Sequence, residues 1–204
     1  MSRAPLAFAL LALSLWIPQV AEARVRLPTA PELLGKSAVI LVGEVESVGE
    51  KHFSVKVIEQ IAGPKKKLVG SIRVLRRLPS RRLDAMVDPA GITAGTRWVW
   101  VLEPSEQVYS SWATAPLKLT REAGEKTERV SCSVLRVKLQ GGVKGELKAQ
   151  TLAEFAAMVR AYRRCYRVER HNKATQIGSA EEIAAFKASS PHADLLVGRT
   201  PTSK

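Results

Sequence analysis

Cysteine, histidine and aspartate are all scarce in this chain of 204 residues. Its two cysteines, Cys132 and Cys165, have no histidine near them in the sequence. That excludes a structural zinc site, which gathers four thiolate or imidazole ligands. The histidines are His52, His171 and His192, and the aspartates are Asp84, Asp88 and Asp194. A Ser-His-Asp or Cys-His site needs a base held against a nucleophile and oriented by a third group. No G-x-S-x-G elbow is present to seat such a set. The H-E-x-x-H, Walker, dinucleotide-binding and EF-hand patterns are missing as well. The chain therefore reads as a non-enzyme, with no catalytic residue, metal ligand or cofactor assigned. A hydrolase is the least favoured function class.

Long apolar runs are also lacking after residue 17, so nothing downstream has the roughly 20 apolar residues that span a bilayer. The one run that exists, Leu6–Ile17, follows Arg3 and precedes Pro18 and Ala21-Glu22-Ala23. A basic start, a short apolar stretch and an A-x-A end form a cleavable secretory signal. A transmembrane anchor would need a longer run. The expectation is a signal at residues 1–23, a mature chain from Arg24, and work in the periplasm or outside the cell. Cleavage removes one base, Arg3, and one acid, Glu22, so the net charge of +13 is kept. In an oxidising compartment two lone cysteines suggest a Cys132–Cys165 disulfide, with two buried free thiols as the alternative.

What the chain does contain is β patterning followed by helix. A lead with Pro28 and Pro31 fills residues 24–36. Residues 38–48 and 52–61 then read as a hairpin around Gly49-Glu50-Lys51. Lys65-Lys66-Lys67 turns the chain into a third strand at 71–75. Residues 76–95 read as a long loop, and Arg97–Leu102 as a strand entered through Ala94-Gly95-Thr96. A broken strand at 108–119 and a strand at 128–139 follow, the latter closed by Gly141-Gly142. Val130, Cys132 and Val134 would share one face of that last strand.

At Thr151–Glu154 the period changes to that of a helix, opened by a capping box and running to about Val168. Leu152, Phe155, Val159, Tyr162 and Tyr166 fall on one face, and Arg160, Arg163, Arg164 and Arg167 fall opposite. A second capping box, Ser179–Glu182, starts a short helix to about Ala188. The tail after Pro191 reads as mobile. The expected fold is mainly β: a small antiparallel barrel or sandwich over residues 37–145, capped by a helical extension over 146–190, with a flexible tail over 191–204.

Several of these segments carry a family pattern. SAVILVGEVESV at 37–48 contains Val42-Gly43-Glu44-Val45, and FSVKVIEQIAGP at 53–64 contains Val55, Ile58, Gly63 and Pro64. GSIRVL at 70–75 precedes TAGTRWVWVLE at 93–103, in which Gly95, Arg97, Val99 and Val101 lead a strand. Thr151–Phe155 supplies a T-L-x-E-F helix start. Over residues 37–165 the chain resembles the bacterial secreted domains with a tissue-inhibitor-of-metalloproteinase-like OB-fold. The resemblance implies a small closed antiparallel OB-like barrel of five strands, in a family whose bacterial members mostly have no assigned activity. Inhibitors of that fold chelate the protease zinc through a cysteine at the mature N-terminus. Here that position is Arg24, so chelation is not implied.

The basic excess is the remaining functional signal. It concentrates at Lys65, Lys66 and Lys67, at Arg73, Arg76, Arg77, Arg81 and Arg82, and along the arginine face of the helix. On an OB barrel, Lys and Arg beside Trp98 and Trp100 would suit an oligonucleotide. Export removes nucleic acid as the natural partner, and the two tryptophans share a strand face as core packing also requires. Anionic surface ligands such as lipid head groups, lipopolysaccharide or acidic glycans fit the charge better. A basic surface with no particular partner fits it too. Glu44, Glu46 and Glu50 read as a solvated face. The expected function is an exported binding or interaction module for an anionic ligand or a protein partner. Protease inhibition through a loop is the alternative.

Overall fold

The computed structural model describes residues 29–76, 91–105, 108–111, 116–121, 124–132, 135–138, 144–168 and 174–197. It is mainly β, with one large sheet and a few helices. The signal segment, Arg77, Arg81, Arg82 and His171 lie outside the described residues.

The lead holds a short helix, α1 (Ala30–Lys36), that buries Leu33 and Leu34. Strands β1 (Val39–Val48) and β2 (His52–Ala62) form the expected hairpin, with Val45 opposite Val55 and Val48 opposite Phe53. Strand β3 (Ser71–Leu75) runs antiparallel to β2. Strand β4 (Arg97–Ser105) runs antiparallel to β1, placing Trp98 opposite Gly43 and Trp100 opposite Leu41. Strand β5 (Val108–Ser111) pairs antiparallel with β4 and parallel with β3. Followed through these pairings, β1, β2, β3, β5 and β4 return to β1. The sheet continues from β4 through β6 (Leu117–Thr120), β7 (Arg129–Val130) and β10 (Gln150–Thr151). Two small hairpins stand apart: β8 (Arg136–Lys138) with β9 (Lys144–Glu146), and β11 (Tyr166–Val168) with β12 (Ala174–Gln176).

Two cores share β1 and β4. Leu41, Val45, Trp98, Trp100 and Leu102 point into one, with Phe53, Val55 and Val74. Ile40, Val42, Val99 and Val101 point into the other, beneath the helices. A strand buried on both faces has no solvent side to mark with polar residues, which is why 39–42 is an unbroken apolar run. At Gly43 the register shifts, and any Cβ there would run into Val55 and Trp100. The missing side chain lets the Trp100 indole lie over the strand and donate to the Gly43 carbonyl at 3.3 Å.

Helix α2 (Leu152–Cys165) opens on the expected capping box: Thr151 Oγ1 accepts from Glu154 N, and Glu154 Oε2 accepts from Thr151 N. It ends at Cys165, three residues short of the expected Val168. Tyr166 and Val168 leave the helix to pair with Gln176 and Ala174, and the Cys165 carbonyl accepts from Ile177 N and Gly178 N. Helix α3 (Ala180–Ser189) starts on its capping box at Ser179. Tyr162, Tyr166 and Phe186 stack between α2 and α3, with ring centroids 5.5 to 6.1 Å apart.

Three expectations change. The strand drawn over 128–139 is divided, because β7 joins the large sheet whereas β8 pairs with β9. Part of the tail expected to be mobile is helical: Ala193–Val197 form a helix, α4, that buries Ala193 and Leu196 against the core. No disulfide forms either. Cys132 and Cys165 are both buried free thiols. Cys132 lies beyond the end of β7, and its thiol donates to Val130 O, whereas that of Cys165 donates to Glu182 O. Burial pushes the Cys132 thiol up to about 12 and also raises that of Cys165, so neither is a ready thiolate. Thiol titration of the unfolded, unreduced protein is expected to return two free thiols. A count near zero would restore the bridge.

Candidate anion-binding surface

The basic segment Lys65–Lys67 lies in the connection from β2 to β3, all three side chains exposed. Its ends are fixed. The Gln60 amide donates to Pro64 O at 3.0 Å, and its carbonyl accepts from Leu68 N at 2.9 Å, so one side chain braces the loop twice. Leu68 packs on the core around Trp98 and Trp100, and Gly70, at φ +78°, returns the chain to β3 while its carbonyl accepts from Val57 N. Between these anchors Val69 is 84% exposed beside the lysines. No ion pair joins Lys65, Lys66 or Lys67 to another described residue. Three adjacent ammonium groups repel one another, and an anion relieves that repulsion.

The outward face of β2 and β3 continues the charge. Lys56 is exposed opposite Ser71, and Arg73 opposite Ser54. The Arg73 guanidinium donates to His52 Nδ1 at 3.3 Å, so His52 faces a cation and not an acid that would orient it as a base. Two carboxylates of β1 lie beside these cations, Glu44 opposite Lys56 and the exposed Glu46. Hydrogen bonds from Ser71 and Ser54 hold Glu46 below the usual carboxylate range. Arg76 lies 6.0 Å over the Phe53 ring and donates to Gly49 O, so its charge helps to close the strand end.

The arginine face of α2 does not act as one surface. Arg160 donates to Ile61 O at 3.1 Å and Glu59 at 2.7 Å, tying α2 to β2. Arg163 is mostly enclosed: it donates to Leu34 O at 2.7 Å, and to Ser37 O and Ser37 Oγ at 2.6 Å each. Burial lowers its pKa. Arg160, Arg164 and Arg167 are exposed, Arg160 with its charge already paired to Glu59. Helical period separated these arginines from the apolar stripe, but β2 engages Arg160 and α1 encloses Arg163.

Trp98 and Trp100 are 8% and 1% exposed, and the indole of Trp98 donates to Thr96 Oγ1 at 2.9 Å. Neither offers a face on which a base could stack. A charged cleft of about 460 Å³ lies between α2 and the segment before β7. Its carboxylates are already engaged, Glu59 with Arg160 and Glu128 with Arg97 and Arg121. Among the described residues no group of three or more His, Cys, Asp or Glu is placed to hold a metal ion. Nor is any described helix long and apolar enough to cross a membrane. Sequence reasoning missed Gln60 and Val69, the brace and the exposed tip. A glutamine at the end of a strand carries no signal until its loop folds back onto it.

Comparison with protein-family models, with curated proteins and with solved structures returns no match to this chain.

Proposed function

We propose that the chain is an exported, non-enzymatic binding module, an OB-type barrel that docks on anionic surfaces through the β2–β3 loop. The barrel reading is supported by the cycle of pairings through β1, β2, β3, β5 and β4, in which β3 and β5 alone run parallel. Export is supported by the segment ending at Ala23. The observation that carries the function is the braced display of Lys65, Lys66 and Lys67 beside an exposed Val69. Ordering such a loop before it meets its target reduces the entropy lost on binding. Lysines suit a diffuse anionic surface as mobile point charges, and Val69 can enter the head-group layer between them.

Near an anionic membrane each lysine contributes about 1 kcal/mol. Changing Lys65, Lys66 and Lys67 together to glutamine is expected to weaken binding to phosphatidylglycerol vesicles roughly 100-fold. Co-sedimentation measures this, and binding of the parent protein should collapse between low and high salt, as the Debye length shortens from about 30 to about 3 Å. Equal binding by the variant, or equal binding to neutral vesicles, would sink the proposal.

A further inference from the structure

A cleft of about 570 Å³ opens between the start of α2, the β7–β10 edge and the turn joining α3 to α4. Its volume is that of a site for a small organic molecule. Met158, Ala157 and Leu195 supply apolar lining. Three polar side chains in its lining are more than nine-tenths buried: Gln150 at 7%, Ser190 at 6% and His192 at 6% exposure. Buried polar groups ordinarily find partners, and these are poorly served. Among the described residues the Gln150 amide donates only to the Met158 thioether, at 3.7 Å, and sulfur is a weak acceptor. Ser190 Oγ accepts from His192 N at 3.3 Å, and its own proton meets no acceptor among the described residues. The ring of His192 makes no hydrogen bond to a described residue.

The cleft thus presents enclosed donors that meet no strong acceptor among the described residues. Its charges point the same way. Arg129 and Lys148 line it and form no ion pair among the described residues. The one acid present, Glu154, is bound on one oxygen by both Thr151 N and Thr151 Oγ1. His192 is held toward its neutral form by burial and by Lys148.

From this we infer that the cleft is a binding site for a small organic carboxylate with a short apolar chain. The carboxylate lies between Lys148 and the Gln150, Ser190 and His192 donors, and the chain lies over Met158 and Leu195. An acceptor-only group answers every donor there, and the apolar lining separates such a ligand from an inorganic anion. The site is independent of the lysine loop.

NMR titration of the purified protein with hexanoate tests this, with hexan-1-ol, hexylammonium and inorganic phosphate as comparison probes. The expected result is saturable shifts of the Gln150 side-chain amide and His192 ring signals, with Lys148→Ala weakening hexanoate about tenfold. Lys148 is exposed, so that variant should keep its fold. His192→Leu, checked for folding by circular dichroism, should weaken binding as well. The variant with Lys65, Lys66 and Lys67 neutralised should bind hexanoate like the parent. Four results would overturn the inference: no shifts at Gln150 and His192; unchanged affinity in Lys148→Ala; binding of the alcohol or the amine as tight as that of hexanoate; or phosphate bound equally well.

Discussion

Replacing Trp100 by alanine is expected to cost the fold about 4 kcal/mol, while leaving the anion-binding loop chemically intact. The indole is 1% exposed and lies in the core with Phe53, Val55 and Val74, tilted at 52° to Phe53 with ring centroids 5.7 Å apart. Truncation opens a cavity that the surrounding strands cannot close, and the buried Gly43 carbonyl loses its donor. Domains of this size are stable by only about 5–15 kcal/mol, so the effect consumes a large part of the margin. Urea denaturation measures it. At low temperature, where the variant remains folded, vesicle binding should match that of the parent. Weakened binding with undiminished stability would return Trp100 to the stacking role its sequence suggested.

Arg163→Ala is expected to be the next most damaging change, at about 3 kcal/mol. The guanidinium satisfies two backbone carbonyls, Leu34 O and Ser37 O, at and just beyond the C-terminal end of α1. A helix of seven residues does not persist on its own, and its last carbonyls need partners from elsewhere. Arg163 is that partner. Arg163→Lys should recover little, because a single ammonium cannot reproduce the planar fork that reaches both carbonyls. Arg164→Ala, one residue along and exposed, should stay within about 0.5 kcal/mol of the parent. Hydrogen exchange at Leu33 and Ser37, whose amides donate to Thr29 O and Leu33 O, would locate the loss in α1. Equal effects of the two alanine variants would refute the clamp.

Much of the architecture was legible because it is local. Both capping boxes are settled by side chains three residues apart, and Thr151–Glu154 and Ser179–Glu182 fold as the pattern requires. The β1–β2 hairpin follows from alternation across a three-residue turn, and the apolar run 39–42 from burial on both faces. The lysine triplet was visible as charge.

What remained hidden depends on partners far along the chain. The parallel pairing of β3 with β5 and the return of β4 to β1 are choices among distant segments, for which period carries no information. The same holds for the thiols. Two cysteines in one chain permit a bridge, and only the packing around Val130 and Glu182 directs each elsewhere. The donor-rich cleft assembles Arg129, Gln150 and His192 from three separate elements. Arg163 and Arg164 mark the boundary most plainly. Sequence by itself placed both opposite the apolar stripe of α2, since a 3.6-residue period orients side chains about their own axis. Which of them meets water and which meets the carbonyls of Leu34 and Ser37 was decided by the docking of α1. A helix's own geometry does not contain the position of its neighbour.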